Sequence, residues 1–248
     1  KFRKVKLGFV NLALDFLDEE DLKTASGYAK DARELLESMG AEVVEFPKPM
    51  NSRPLANEAW KLFTTEIVDA VVIFNGTFST GDITVELVRN MDCPFLIWGI
   101  EEFAASKHNF TGSMVGAMPA GSIFKNFGRT FSFVYGNAKG GRPNHGVQKF
   151  IKAVTAIAYL REAAIGVIGM RPDGFEISDF DELAIKQKFG TTITKVSMYE
   201  FSNIIKGISE EEIDKDMETQ KQLFDIAEND LKESRGLSRV YLAVKKVV

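Results

Sequence analysis

The residues best suited to chemistry stand in one stretch, Asn75-Gly76-Thr77-Phe78-Ser79-Thr80-Gly81-Asp82, directly behind the apolar run Ala70-Val71-Val72-Ile73-Phe74. An amide, hydroxyls and glycines in that order suit hydrogen bonding to a polyol or an anion. The stretch is not a phosphate-binding Walker loop, because the Gly-Lys-Ser/Thr ending is missing. Its structural alternative is an Asx or ST turn with Asp82 capping the next helix. A second loop, Gly136–Gly146, sets Lys139 and Arg142 among glycines; it could cradle a phosphate, or serve as a mobile surface connection. In a third, Met170-Arg171-Pro172-Asp173-Gly174-Phe175-Glu176, Arg171 could orient a hydroxyl or carboxylate while Asp173 and Glu176 handle protons. The alternative there is a Pro-Asp-Gly turn with an exposed arginine. Glu101 and Glu102 are adjacent, so at most one could face a shared pocket, and solvated or capping roles are the alternative.

No metal or nucleophile centre is spelled out. His108 and His145 are the two histidines, far apart and outside any H-x-x-x-H or H-E-x-x-H pattern. Neither G-x-S-x-G nor G-x-G-x-x-G occurs. The single cysteine, Cys93, excludes a disulfide framework and a cysteine-based zinc site.

Those loops need strands and helices to hold them. Val5–Val10, Ala41–Phe46, Ala70–Phe74, Pro94–Trp98 and Phe131–Tyr135 read as strands, and the third and fourth are continuous apolar runs of the kind covered on both faces. Between them lie helical patterns. Leu22, Ala25, Ala29, Ala32, Leu36 and Met39 recur every three or four residues until Gly40 stops them. Strands spaced by helices predict an α/β fold with a parallel sheet. A helix after Gly146 leads to Ala164–Gly169, where a second α/β unit begins. Asp181–Phe189, Gly190 and Thr191–Val196 then repeat the pattern of Asp31–Met39, Gly40 and Ala41–Phe46. A domain boundary is expected near 160–166, giving domains 1–163 and 164–248; one large continuing sheet is the alternative. Ser209-Glu210-Glu211-Glu212 reads as a capping box with Ile208 and Ile213 as its staple. The stripe Ile213, Met217, Gln220, Phe224, Ala227 and Leu231 predicts one helix ended by Gly236, with Ser238 capping a last segment from Arg239.

The chain has 248 residues, 45% hydrophobic and 27% charged, enough for a sizeable core and for one or two domains at ~150 residues each. Thirty-one Lys and Arg against 35 Asp and Glu, net −4, is no footprint for nucleic acid. No apolar run approaches the ~20 residues of a membrane span, and Asp15, Asp18, Glu19, Glu20 and Asp21 arrive too soon for a signal peptide. A cytoplasmic protein is expected, with no membrane and no nucleic-acid partner. The missing initiator Met and the ending in Lys-Lys-Val-Val predict an incomplete or processed chain.

Three stretches together give the chain a resemblance to the amino-terminal half of the L-fucose and L-arabinose isomerases. They are Val71-Val72-Ile73-Phe74-Asn75-Gly76-Thr77-Phe78-Ser79; Thr111-Gly112-Ser113-Met114 through Phe124 with Gly128-Arg129-Thr130-Phe131-Ser132-Phe133-Val134-Tyr135-Gly136; and Gly166-Val167-Ile168-Gly169-Met170-Arg171 with Phe189-Gly190 and its strand. Leu237–Ala243 resembles the helix leading into that family's metal-binding half. The resemblance covers the whole chain in order, each motif being weak alone. It implies two consecutive Rossmann-like three-layer units with parallel sheets and C-terminal helices. It further implies aldose–ketose isomerisation of a pentose or 6-deoxyhexose through an enediol, with Mn²⁺ in the intact parent and a trimer or hexamer in which loops of the first domain help close a neighbour's active site. The metal ligands would lie in a later half, so no metal is expected on this chain and no catalytic residue is assigned to it. By position, Asn75, Thr77, Ser79, Ser113, Met170 and Arg171 would stand at or near substrate.

The end of the first strand departs from that pattern. Family members tend to carry a polar or basic substrate contact there, whereas this chain offers Asn11 and Asp15. That leaves the sugar open. A competing class is a stand-alone cytosolic sugar-binding or regulatory module of periplasmic-binding-like fold. The expectation is that the 248-residue chain alone neither binds metal tightly nor isomerises sugar, and turnover by it with added Mn²⁺ would refute this.

Overall fold

The structure is a computed structural model that describes residues 3–13, 18–103, 111–225, 227 and 230–247. Asp15 and His108 lie outside the described residues. The chain divides into two compact units, Lys1–Ala158 and Tyr159–Val248.

The first unit alternates strand and helix: β1 (Lys6–Leu12), α1 (Glu19–Ser38), β2 (Glu42–Glu45), α2 (Arg53–Thr65), β3 (Ala70–Asn75), α3 (Gly81–Asn90), β4 (Phe95–Gly99), α4 (Ser113–Asn126), β5 (Ser132–Tyr135) and most of α5 (Asn144–Glu162), within which the division falls. The five strands form one parallel sheet in the order β2-β1-β3-β4-β5. Parallel strands need crossovers, and crossover helices cover both faces, so a central strand is apolar throughout. Accordingly, all six residues of β3 are buried. Its residues alternate between two cores. Val72 and Phe74 join Leu7, Phe9, Trp98 and the apolar sides of α1 and α5. Val71 and Ile73 join Val10, Leu12, Ile97 and the apolar sides of α2, α3 and α4. This is the three-layer α/β architecture expected from the runs.

Local chemistry sets the helix ends. Asp18 caps α1 through the Asp21 N–H, and Glu19, Glu20 and Asp21 place negative charge where the helix dipole favours it. Gly40, at φ +94°, stops the chain after α1, as Gly190, at φ +77°, does after the corresponding helix of the second unit. Thr80, not Asp82, is the N-cap of α3, and Asp82 sits in its first turn.

The second unit contains β6 (Ala164–Ile168), α6 (Glu182–Phe189), β7 (Thr192–Val196), α7 (Met198–Lys206), α8 (Glu210–Leu223) and α9 (Leu231–Val247). β6 and β7 pair in parallel as a separate two-stranded sheet, so the two units do not share one continuous sheet. Val196, Phe201, Ile208, Ile213, Met217 and Ala243 make its small core.

The carboxyl end differs from the expected single helix. α8 stops at Leu223, and α9 runs unbroken through Gly236 and Ser238. Glycine inside a helix costs only about 1 kcal/mol relative to alanine. Against that stand contacts from both sides of Gly236: Arg235 pairs with Asp214 and Glu210, Arg239 pairs with Glu210, and the Ser238 hydroxyl donates to Asp216. Tertiary contacts therefore override the stop signal.

The capping box at Ser209 and Glu212 is present in full. Glu212 accepts from the Ser209 N–H (2.9 Å) and lies 2.8 Å from Lys246 of α9. The Lys246 hydrogen bond first, and the Ser209 bonds second, hold its carboxyl down to about 2. A carboxylate whose folded pKa is depressed contributes stability above its ordinary pKa and loses it as pH falls. Urea titrations of wild type and Glu212→Gln should therefore differ most above about pH 4.5 and converge between there and pH 2. A gap that stays constant over that window would sink the assignment.

Candidate functional site

The strand order reverses direction between β1 and β3, and in open parallel sheets ligands bind beyond the carboxyl ends of strands at such a reversal. Leu12 and Asn75 are register partners, so the ends of β1 and β3 stand side by side. The stretch Asn75–Asp82 begins at this point.

Four of the residues singled out from sequence gather here. Asn75, Thr77, Ser79 and Ser113 are all buried. The Ser79 hydroxyl donates to Asn75 Oδ1 at 3.2 Å. The Ser113 hydroxyl donates to the Asn75 carbonyl at 2.6 Å and accepts from the Ile100 N–H at 2.9 Å, joining the ends of β3 and β4 to the first residue of α4. Thr77 donates its N–H to the Leu12 carbonyl (3.2 Å), closing the loop onto β1. These polar groups brace the strand-end loop from inside. Phe78 is the residue of Asn75–Ser79 that keeps exposed surface, being half-buried. From sequence it is named within the loop and its ring is given no role. The signal was its place between two small hydroxyl residues in a loop after a fully apolar strand.

Gly116 lets α4 lie against that loop. A Cβ there would stand 2.7 Å from Ser79 N and 3.0 Å from Ser79 Oγ. Backbone cannot yield as a flexible side chain does, and overpacking of this kind costs about 1–3 kcal/mol. Gly116→Ala should lower stability by that amount in urea unfolding; an unchanged midpoint would show that the helix and loop are not in contact.

Asn11 stands on the neighbouring strand end. Its backbone carbonyl accepts from the Met50 N–H at 2.8 Å, which fixes the strand end in place. Its side chain packs over Gly76, where a Cβ would come within 2.5 Å of Asn11 Oδ1. That oxygen is buried and has no hydrogen-bond donor among the described residues. A buried acceptor left without a donor costs roughly 1–3 kcal/mol.

The loop Gly136–Gly146 is fastened at several points rather than free. Gly136 donates its N–H to Gly99 and accepts from Trp98 Nε1, both at 2.9 Å. Lys139 pairs with Asp31 (2.8 Å), and Arg142 lies over the Tyr135 ring and 3.6 Å from Glu101. Both cations proposed as a phosphate cradle thus have acidic partners. Glu102 takes the capping role: one of its oxygens accepts from the Thr111 N–H, the Thr111 hydroxyl and the Gly112 N–H.

Met170 and Arg171 belong to the second unit. Met170 is almost fully exposed in the loop after β6. Arg171 pairs with Asp179 (3.2 Å) and Glu176 (3.5 Å), so its charge is balanced within its own loop. The Phe180 N–H, and then Arg171, hold the Asp179 carboxyl below its ordinary value.

Among the described residues no group of three or more His, Cys, Asp or Glu could hold a metal ion. None of the described helices is long and apolar enough to cross a membrane.

No family model matches the chain. Over 164 residues it is 26% identical to a sulfoquinovose isomerase of Priestia megaterium, and to one of Priestia aryabhattai, a match covering 66% of this chain and 37% of each relative. A sulfoquinovose isomerase of Alkalicoccus urumqiensis is 24% identical over 163 residues, again 37% of that protein. The matched region is thus little more than a third of the length of the curated relatives.

Proposed function

We propose that this chain is the amino-terminal portion of a sugar isomerase that interconverts an aldose and a ketose. The observation that carries the reading is the similarity of two thirds of the chain to enzymes named as sugar isomerases. The strand-end loop supports it. It stands at the reversal of an open sheet, where ligands bind, and keeps the aromatic Phe78 partly exposed above the buried polar groups that brace it. Asn11 Oδ1, buried and without a donor among the described residues, is a further feature that a sugar hydroxyl would suit.

In such a reaction the proton leaves C2 and a proton arrives at C1, while the hydroxyl proton passes from O2 to O1. This is acid–base work through an enediol. The chain's part is to orient and cover the sugar with the loop after β3. The residues described here do not fit a metal, so Mn²⁺ is proposed for the intact parent alone and no step is assigned to it on this chain. We further propose a cytoplasmic homo-oligomer in which this loop faces a neighbouring subunit's sugar.

The test is proton exchange. The full-length protein carrying this sequence is incubated in D₂O with Mn²⁺ and, in turn, sulfoquinovose, L-fucose and L-arabinose, and the aldose H2 signal is followed by NMR. Loss of that signal with one sugar is expected. Sugar binding by calorimetry without any exchange would instead favour a binding module, and neither binding nor exchange would overturn both readings.

A further inference from the structure

The N-cap of α4 is Gly112, in a left-handed conformation and without a side chain to cap the helix. The first N–H groups of a helix need acceptors from somewhere. Glu102 supplies one from ten residues upstream. A single carboxylate oxygen accepts from Thr111 N (2.7 Å), Thr111 Oγ1 (2.7 Å) and Gly112 N (3.2 Å). Thr111 is fully buried, and its carbonyl accepts from the Phe78 N–H at 2.8 Å. The first turn of α4 also meets Ser79 through Gly116.

We propose that Glu102 is a positioning residue: its carboxylate holds Thr111, and Thr111 sets the place of Phe78 at the strand ends. The juxtaposition has a direct physical meaning. Phe78 belongs to the loop after β3, but its backbone N–H is satisfied by the entrance to α4 and not by its own strand. Whatever moves Thr111 therefore moves Phe78. Ser113 and Asn75 brace the strand end beneath, so displacement is confined to the residues Glu102 governs. Negative charge at the start of a 14-residue helix is also the sign the helix dipole favours. The importance of Phe78 for sugar rests on the proposed function; the mechanical link from Glu102 to Phe78 does not.

The test reads that link without sugar. 4-Fluorophenylalanine is placed at position 78 alone, and its ¹⁹F resonance is compared across Glu102 variants. Glu102→Ala should shift or broaden the signal by more than a linewidth at temperatures well below unfolding. Glu102→Gln, which keeps an oxygen in reach of the same three donors, should leave it in place. An ordinary stabilising cap would lower the melting temperature in Glu102→Ala and leave the resonance unchanged, and that result would overturn the proposal. If Glu102→Ala does not fold, amide exchange in the wild-type protein decides. Phe78, Thr111 and Gly112 should open with one common protection factor, and a Phe78 amide exchanging independently of the other two would refute the coupling. Sugar turnover with an unmoved resonance, or a moved resonance without turnover, separates this inference from the proposed function.

Discussion

Replacing Trp98 by alanine is expected to lower the stability of the first unit by about 3–5 kcal/mol. Trp98 is fully buried on β4, second from the edge of the sheet. Its ring meets Phe74 edge-on at 5.7 Å, and Phe74 in turn meets Phe9, so three neighbouring strands share one aromatic layer. Its Nε1 donates to the Gly136 carbonyl at 2.9 Å, tying the core to the loop after β5. Alanine leaves a large void and an unpaired carbonyl together. Trp98→Phe separates the two effects: it keeps most of the packing and gives up the hydrogen bond, a loss of about 1–2 kcal/mol. The protein has two tryptophans, so Trp60 remains as the fluorescence probe for urea unfolding. A Trp98→Ala loss below about 1 kcal/mol would contradict the packing described.

The second large effect belongs to Ser113→Ala. One hydroxyl serves the Asn75 carbonyl as donor and the Ile100 N–H as acceptor, all within the buried interior. Its removal strands two backbone groups at the carboxyl ends of two central strands. Each such group costs roughly 1–3 kcal/mol, so a loss of about 2–4 kcal/mol is expected in urea unfolding. The same change should speed hydrogen exchange at the Ile100 amide. Unaltered exchange there would mean that Ile100 does not depend on Ser113.

The sheet was legible in the sequence because burial on two faces leaves a plain mark. Ala70–Phe74 and Pro94–Trp98 are unbroken apolar runs, and they became β3 and β4 within a residue or two. Helix stops carried by glycine were legible where nothing opposed them, as at Gly40 and Gly190. At Gly236 the local signal met ion pairs to α8 formed over 21 to 29 residues of sequence, and spacing along the chain holds no record of those. The common location of four of the candidate residues was legible. Asn75, Thr77, Ser79 and Ser113 do cluster at the reversal of the sheet, but residue type does not say which way a hydroxyl points. Their bonds run to one another and to backbone. Glu102 looked like one of two adjacent acids after a strand, and spacing along the chain does not mark Thr111, nine residues on, as its partner.

The strand order β2-β1-β3-β4-β5 has a consequence for how the first unit can be made. As the chain leaves the ribosome, β2 adds to one side of β1 and β3 to the other. β4 then adds to β3, and β5 to β4. Every new strand finds an open edge waiting, and none has to be forced between two strands already joined. The sheet can be laid down in the order in which it is synthesised, with its most buried strand in place before the second half of the unit exists.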